Sequence, residues 1–281
     1  MPPDPAVDAL LARVTEQIDT LSIDPEDQAL FSQLIEGFAD PREPVRLRIA
    51  EALGEIGEPA TPALTQALRS HPNPTVRGSC AKTLMLFGDE DAIPPLIQAT
   101  LHDTDAVVRG SAMAALARTG EAAVPALVLI LADAQTPEPT KGLAAWALAF
   151  IGVEAEALLL KALETENVGV RAAVIGAFAK VTKGDPQPRN FEILIDALND
   201  PAADVRGAAA AAIGELAHRP AATALVKLLR ATDWQTRKAA ALALMKVGDA
   251  SAIAPLQAAL SAENTPDKQA IYTLAIDQLK K

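Results

Sequence analysis

Cysteine, aromatic rings and positive charge are what this chain has least of, and each shortage closes off a class of function. A single cysteine, Cys80, rules out an intrachain disulfide. It also rules out an iron–sulfur cluster held by this chain alone, since such clusters usually need four protein ligands. There are only three histidines, His71, His102 and His218, and no CxxC, phosphate-cradling glycine loop or serine or cysteine triad goes with them. Lysine and arginine number 25 against 36 aspartates and glutamates, for a formal charge of −11 and a pI of about 4.8. So acidic a surface argues against nucleic acid, whose phosphates need basic contacts, and against an anionic membrane surface. No uninterrupted apolar run reaches the length of a membrane span. The opening MPPDPAVDAL has neither the basic n-region nor the apolar h-region of a signal peptide. The expectation is a cytoplasmic protein.

What the chain does have is a repeat. The stretch DPREPVRLRIAEALGEIG, residues 40–57, returns six more times. Its basic anchors are Arg46, Arg77, Arg109, Lys141, Arg171, Arg206 and Arg237, spaced 31, 32, 32, 30, 35 and 31 residues apart, and so steady a period marks a solenoid. Eleven residues after the anchor stands a glycine in five copies (Gly57, Gly88, Gly120, Gly152, Gly248), replaced by Thr182 and Ala217 in the other two. That is the helix-ending position where glycine accepts positive φ. Glu43-Pro44 and Asn73-Pro74 read as an N-cap followed by proline at the first helical position.

At 100° per residue, the positions one before the anchor and three, four, seven and ten after it share one helix face. They are filled by residues such as Ile49, Ala50, Leu53 and Ile56, and Ala81, Leu84 and Phe87. A second apolar segment follows each copy, for example TPALTQALRS from Thr61. Each unit is therefore helix–turn–helix, and too small to bury its own face without neighbours. The fold expected is an all-α, right-handed α-solenoid of about seven short repeats. Residues 1–25 form an N-terminal tail and capping helix, 26–262 the repeats, and 263–281 a C-terminal cap.

Details along the chain follow from the same pattern. Residues 1–5 are proline-rich and read as loose. An amphipathic helix is expected over Val7–Leu21, a second from Asp24 to about Phe38, and a closing helical cap over Asp267–Lys281 with Ile271, Leu274 and Leu279 as its apolar residues. The fourth copy is irregular: the turn DAQTPEP from Asp133 is long, Lys141 replaces arginine, and Thr140 replaces valine.

The anchor lies within the apolar arc, where a charge needs a partner. Asp40, Asp103, Asp105, Asp200, Asp204 and Asp233 lie in the turns before the anchors, so the anchors are read as an Asp–Arg ladder tying repeat to repeat. Cys80 falls in a row of small apolar residues, and its first reading is core packing. His71 and His102 occupy equivalent turns of adjacent repeats, too far apart to share one metal at a helix spacing of about 8–10 Å.

Opposite the core, the positions one, two, five and nine after the anchor carry Arg48, Lys82, Arg118, Lys180, Lys238 and Lys246 against Glu51, Glu55 and Glu215. That is six positive against three negative, a net +3 on a chain of −11, which predicts a locally positive binding groove suited to an acidic protein client. Within it, Leu143, Trp146 and Phe150 of the fourth copy, with Leu86 and the surrounding Lys82, Arg118 and Lys180, form the candidate hot spot.

The VRxxAAxALGxxG unit, best seen from Val45-Arg46 to Gly57 and from Val205-Arg206 to Gly214, resembles the short HEAT-like repeats named after phycobilisome lyases. The resemblance spans roughly residues 26–262 and brings no catalytic motif with it, so no catalytic residue is assigned. In cyanobacteria such proteins include E/F-type bilin lyases, phycobilisome-degradation factors and a HEAT-repeat partner of iron–sulfur assembly proteins. The first function read from this is a non-enzymatic scaffold gripping a phycobiliprotein or an assembly factor, with no bound cofactor. The second is a phycobilin lyase or lyase-chaperone subunit holding a bilin tetrapyrrole. The third is an iron–sulfur accessory protein in which Cys80 supplies one ligand shared with a partner or across a homodimer.

Overall fold

The structure, a computed structural model, describes residues 5–281. Residues 1–4, most of the stretch read as loose, lie outside the described residues, and Pro5 already opens the first helix. Every regular element among the described residues is helical. The chain divides into two compact units. The first holds residues 5–127 and 135–147 of the described chain, the second 128–134 and 148–281. The division falls at the irregular fourth copy.

The first unit begins with α1 (Pro5–Asp19) and α2 (Gln28–Glu36), followed by α3 (Glu43–Ile56), α4 (Thr61–Ser70), α5 (Pro74–Phe87), α6 (Ile93–His102) and α7 (Ala106–Arg118). Helices α8 (Val124–Ala132) and α9 (Glu138–Ile151) are shared between the units. The second unit continues with α10 (Glu156–Ala162), α11 (Val168–Gly184), α12 (Pro188–Asp196), α13 (Ala203–Glu215), α14 (Ala222–Leu228), α15 (Trp234–Val247), α16 (Ile253–Ala262) and α17 (Pro266–Leu279). The odd-numbered helices α3 to α15 carry the anchors and the even-numbered ones are the second apolar segments. Single 3-10 turns such as Glu58–Ala60 and Glu90–Ala92 link anchored helix to partner.

Within each unit the anchored helices pack side by side, α5 on α3 and α7, and α13 on α11 and α15. The face predicted from the 100° period is the buried one: Ile49, Leu53, Cys80, Leu84, Ala112, Leu116, Val174, Phe178, Ala209, Ile213, Ala240 and Leu244 are all sealed from solvent. Side-chain caps start several of these helices. Asn73 accepts from the Thr75 amide, Asp105 from Val107 and Val108, Asn167 from Val170, and Asp233 from Thr236.

All five glycines of the stop row have positive φ, from 62° to 73°. Gly88 shows why: an added Cβ would also lie 2.9 Å from the Arg118 carbonyl oxygen of the neighbouring repeat. Gly88→Ala is therefore expected to cost about 1–2 kcal/mol from the left-handed backbone alone, read as a lowered denaturation midpoint. Of the two copies without glycine, Ala217 takes the same conformation at φ 48°, while α11 runs straight through Thr182 to Gly184.

Several expectations are corrected. Glu43 is not an N-cap: it is the first residue of α3, Pro44 follows at the second position, and the cap is Arg42 without a side-chain bond. The second helix starts later than Asp24, at Gln28 behind an Asp27 cap, and ends at Glu36 before a 3-10 turn over Gly37–Ala39. Leu21 is not on the buried face of α1; it lies beyond the helix end at positive φ and is almost fully exposed. In α17 the buried residues are Tyr272, Ala275 and Ile276, whereas Leu274 faces solvent. Tyr272 sets that register by packing edge-on against Trp234, with ring centroids 5.9 Å apart.

One stretch, Glu138–Ala162, is long and apolar enough to cross a membrane by length and composition. It is two helices, α9 and α10, separated at Gly152 by a left-handed residue and a 3-10 turn, and Ala144, Ala147, Leu148 and Leu159 within it are buried.

Candidate functional site

The anchor arginines are structural, with a geometry more specific than a plain Asp–Arg ladder. In each, Nη1 donates to the carbonyl six residues earlier: Arg46 to Asp40, Arg77 to His71, Arg109 to Asp103, Arg171 to Thr165, Arg206 to Asp200 and Arg237 to Ala231, at 2.7–3.0 Å. In Arg77, Arg171, Arg206 and Arg237 the rest of the guanidinium reaches forward to an acid in the next turn. Arg77 grips Asp103 with two bonds of 2.7 and 2.9 Å, and Arg171 grips Asp200 with 2.9 and 3.1 Å. Arg206 meets Asp233 at 2.7 Å and Arg237 meets Glu263 at 3.5 Å. Asp40 departs from the ladder as first read, since its carboxylate pairs with Arg42 rather than with Arg46. Asp105 caps α7 instead of bridging repeats.

Cys80 is fully buried on α5, and burial pushes its thiol well up from the ordinary range. No group of three or more His, Cys, Asp or Glu among the described residues is placed to hold a metal ion. His71 is engaged locally, accepting from the Asn73 amide at 3.1 Å and lying 3.4 Å from Glu36. His218 stacks on Phe191 at 4.0 Å between centroids, and burial pushes its imidazole down. Cys80 is expected to react with a thiol reagent only after unfolding, because the attacking species is the thiolate. Rapid labelling of native protein, or iron retained by wild type and lost in Cys80→Ala, would overturn the core assignment.

The exposed side of the anchored helices holds the remaining candidates. In the first unit Lys82 and Arg118 are exposed, and Leu86, half-exposed, lies over Gly54 of α3, where an added Cβ would sit 2.8 Å from Leu86 Cδ1. On α9, Leu143, Trp146 and Phe150 are 37%, 49% and 52% exposed; Trp146 and Phe150 stand one turn apart on one helix face. In the second unit Lys180 is exposed but pairs with Glu215 at 2.9 Å. That hydrogen bond, with Lys183 and Lys246 also acting on the carboxylate, holds Glu215 below its ordinary range.

Composition and period do not reveal a cleft between α13 and α15, of about 450 Å³. Its floor is Gly207, Ala211, Ala239, Leu242 and Ala243, and its rim carries Asp204, Gln235, Lys238 and Lys246. The letters Gly and Ala on an exposed row read as filler; they make a trough only because α13 and α15 approach closely at Gly214, where an added Cβ would lie 3.0 Å from Ala243 Cα.

Comparison with known proteins gives this architecture relatives. The family model described as HEAT repeats matches residues 30–117 and 191–275. Over 256 residues, 91% of this chain and 86% of the relative, the chain is 34% identical to the bilin biosynthesis protein MpeU of Synechococcus sp. strain WH8020. Among solved structures, Kap121p bound to Pho4p matches with a TM-score of 0.63 at 15% identity, over 92% of this chain and 34% of that one. That likeness is of fold alone, and the chain spans only about a third of the length of Kap121p. The complex of CpcE and CpcF of phycocyanin lyase from Nostoc sp. PCC7120 matches at 26% identity with a TM-score of 0.47, over 55% of this chain and 98% of that one. Seven HEAT-type copies and a relative matched along 91% of this chain place it in the HEAT-repeat family and, within it, among the short phycobilisome-lyase-type HEAT-like proteins.

Proposed function

We propose that the chain works in bilin attachment, as a lyase-type protein that brings a linear tetrapyrrole and a phycobiliprotein client together. In that step the client's cysteine thiol adds across an exocyclic double bond of the bilin. A sulfur–carbon bond forms, the thiol proton ends on carbon, and no oxidant or reductant is consumed. The observation that carries the reading is the 34% identity to a bilin biosynthesis protein over 91% of the chain. Two features of the surface support it. The second unit collects lysines around a single carboxylate, Glu215, which suits an anionic pigment. The α9 patch offers the apolar contact a protein client needs. No side chain is assigned to proton transfer; the chain's contribution is holding the two reactants, and fixed geometry by itself supplies a large part of a bimolecular barrier.

Co-expression in a host that makes bilin, with a phycobiliprotein subunit as client, tests this. Bilin that stays on the client through denaturing electrophoresis, and depends on this chain, is the expected result; equal attachment without the chain overturns it. The exposed α9 patch also favours a second reading, a non-enzymatic scaffold for an acidic client. Under that reading the client co-purifies with the chain but gains no covalent pigment.

A further inference from the structure

Lys238 and Lys246 belong neither to the buried repeat face nor to the arginine ladder. They stand eight residues apart on α15, about 12 Å along the axis at 1.5 Å per residue, with Leu242 midway between them. Facing them, α13 contributes Gly207 and Ala211 to the floor of the cleft. A volume of about 450 Å³ lies within the range of small-molecule sites, roughly 300–1,000 Å³. At the Lys246 end cations outnumber anions: Lys180, Lys183 and Lys246 all act on Glu215, and Lys180 already satisfies it at 2.9 Å. The stem of Lys246 crosses Gly214, with Cδ 3.4 Å from where a Cβ would be, so a larger residue on α13 would push that lysine away.

The chemistry of the walls narrows the occupant. Residues 207–211 and 239–246 lie inside helices, whose backbone N–H and C=O groups bond to one another and offer nothing to an extended peptide. What remains is an apolar floor whose rim carries two ammonium groups, Lys238 and Lys246, and one carboxylate, Asp204. That suits a rigid, conjugated molecule bearing carboxylates rather than a polypeptide backbone.

We propose that the α13–α15 cleft is where the chain seats its bilin, the pyrrole rings lying on Gly207, Ala211, Ala239 and Leu242 and the two propionates pairing with Lys238 and Lys246. The proposal rests on the bilin-attachment reading and assigns it a place in the molecule.

Biliverdin, added to the purified full-length chain and followed by its visible absorbance, is the probe. Saturable binding is expected, weakened at least tenfold in Lys238→Ala/Lys246→Ala and at least tenfold for biliverdin dimethyl ester, which has the same rings without the charges. Leu242→Glu, which keeps both lysines and spoils the floor, is expected to weaken binding as well. Both variants replace side chains outside the buried core, and unchanged helical circular dichroism and melting are the control. Equal affinity of wild type and double variant, equal affinity for acid and ester, or no saturable binding while client capture needs both lysines, would each overturn the proposal; the last would make the cleft a protein-docking surface. Co-expression separates this failure from that of the wider reading. If wild type and double variant attach bilin equally well and bind biliverdin alike, the cleft assignment fails and the lyase reading stands. If the lysines govern biliverdin binding but no client ever gains pigment, the cleft stands and the lyase reading fails.

Discussion

Arg77→Ala is expected to destabilise the folded chain by about 3–5 kcal/mol, the usual cost of removing one partner of a buried ion pair. The side chains of Arg77 and Asp103 are only 13% and 6% exposed. Without the guanidinium, Asp103 keeps one backbone donor, the Asp105 amide at 2.8 Å, and loses two charge-assisted bonds. The carbonyls of His71 and Pro72 lose their donor in the same change. At about 2–4 °C per kcal/mol for a domain of 150–250 residues, the melting shift is easily read by circular dichroism. A double-mutant cycle with Asp103→Ala should return a coupling of about 1.5–3 kcal/mol, as for hydrogen bonds to charged groups. Unchanged melting together with lost client binding would mean that the arginine row is a binding surface.

The same pairs set an acid limit. Burial alone would raise the Asp103 and Asp200 carboxyls, but hydrogen bonds from Arg77 and Arg171, with those from the Asp105 and Ala202 amides, outweigh it and hold both below the ordinary range. Asp233 behaves alike, with burial opposed by Thr236 and Arg206. A carboxyl depressed in the folded state contributes stability that is complete above its unfolded value, about 3.9. That contribution is lost as pH falls through the lower, folded value. Stability should therefore be flat in this respect near neutrality and decline below about pH 4. Arg77→Ala should make the decline shallower, because Asp103 then titrates closer to its unfolded value.

How much of this could be read from the letters varies by feature, for physical reasons. Helix faces were legible because burial follows the 100° period, and Ile49, Leu53, Cys80 and Leu84 lie where that period puts them. The glycine stops were legible because few residues besides glycine accept positive φ cheaply; Ala217 escaped because nothing in an alanine announces it. The six-back arginine bond was not legible, since its acceptor is a backbone carbonyl that every residue carries. Nor was the α13–α15 cleft, which depends on the distance between two helices rather than on either helix alone. The fourth copy was flagged by its long turn and its Lys141 anchor, and the boundary between the compact units falls there.

That copy also carries the prediction closest to function. Trp146→Ala is expected to leave the fold intact and to weaken capture of a phycobiliprotein client by about 2 kcal/mol or more, roughly thirtyfold, as truncation of an interface hot spot does. The ring is 49% exposed, so the 3–5 kcal/mol that follows deletion of a fully buried tryptophan does not apply. Leu143 and Phe150 on the same helix are comparably exposed, which makes an apolar surface of three large side chains on a chain with only 3% aromatics. Such surfaces mark interaction sites when they are contiguous. The chain has two tryptophans, and the other, Trp234, packs against Tyr272, Arg237 and Lys268. A change in tryptophan emission on adding client, absent from Trp146→Ala and kept in Trp234→Phe, would report contact at α9 directly. If Trp146→Ala instead lowers the melting temperature by as much as Arg77→Ala does, or binds client as wild type does, the contact lies elsewhere on the chain.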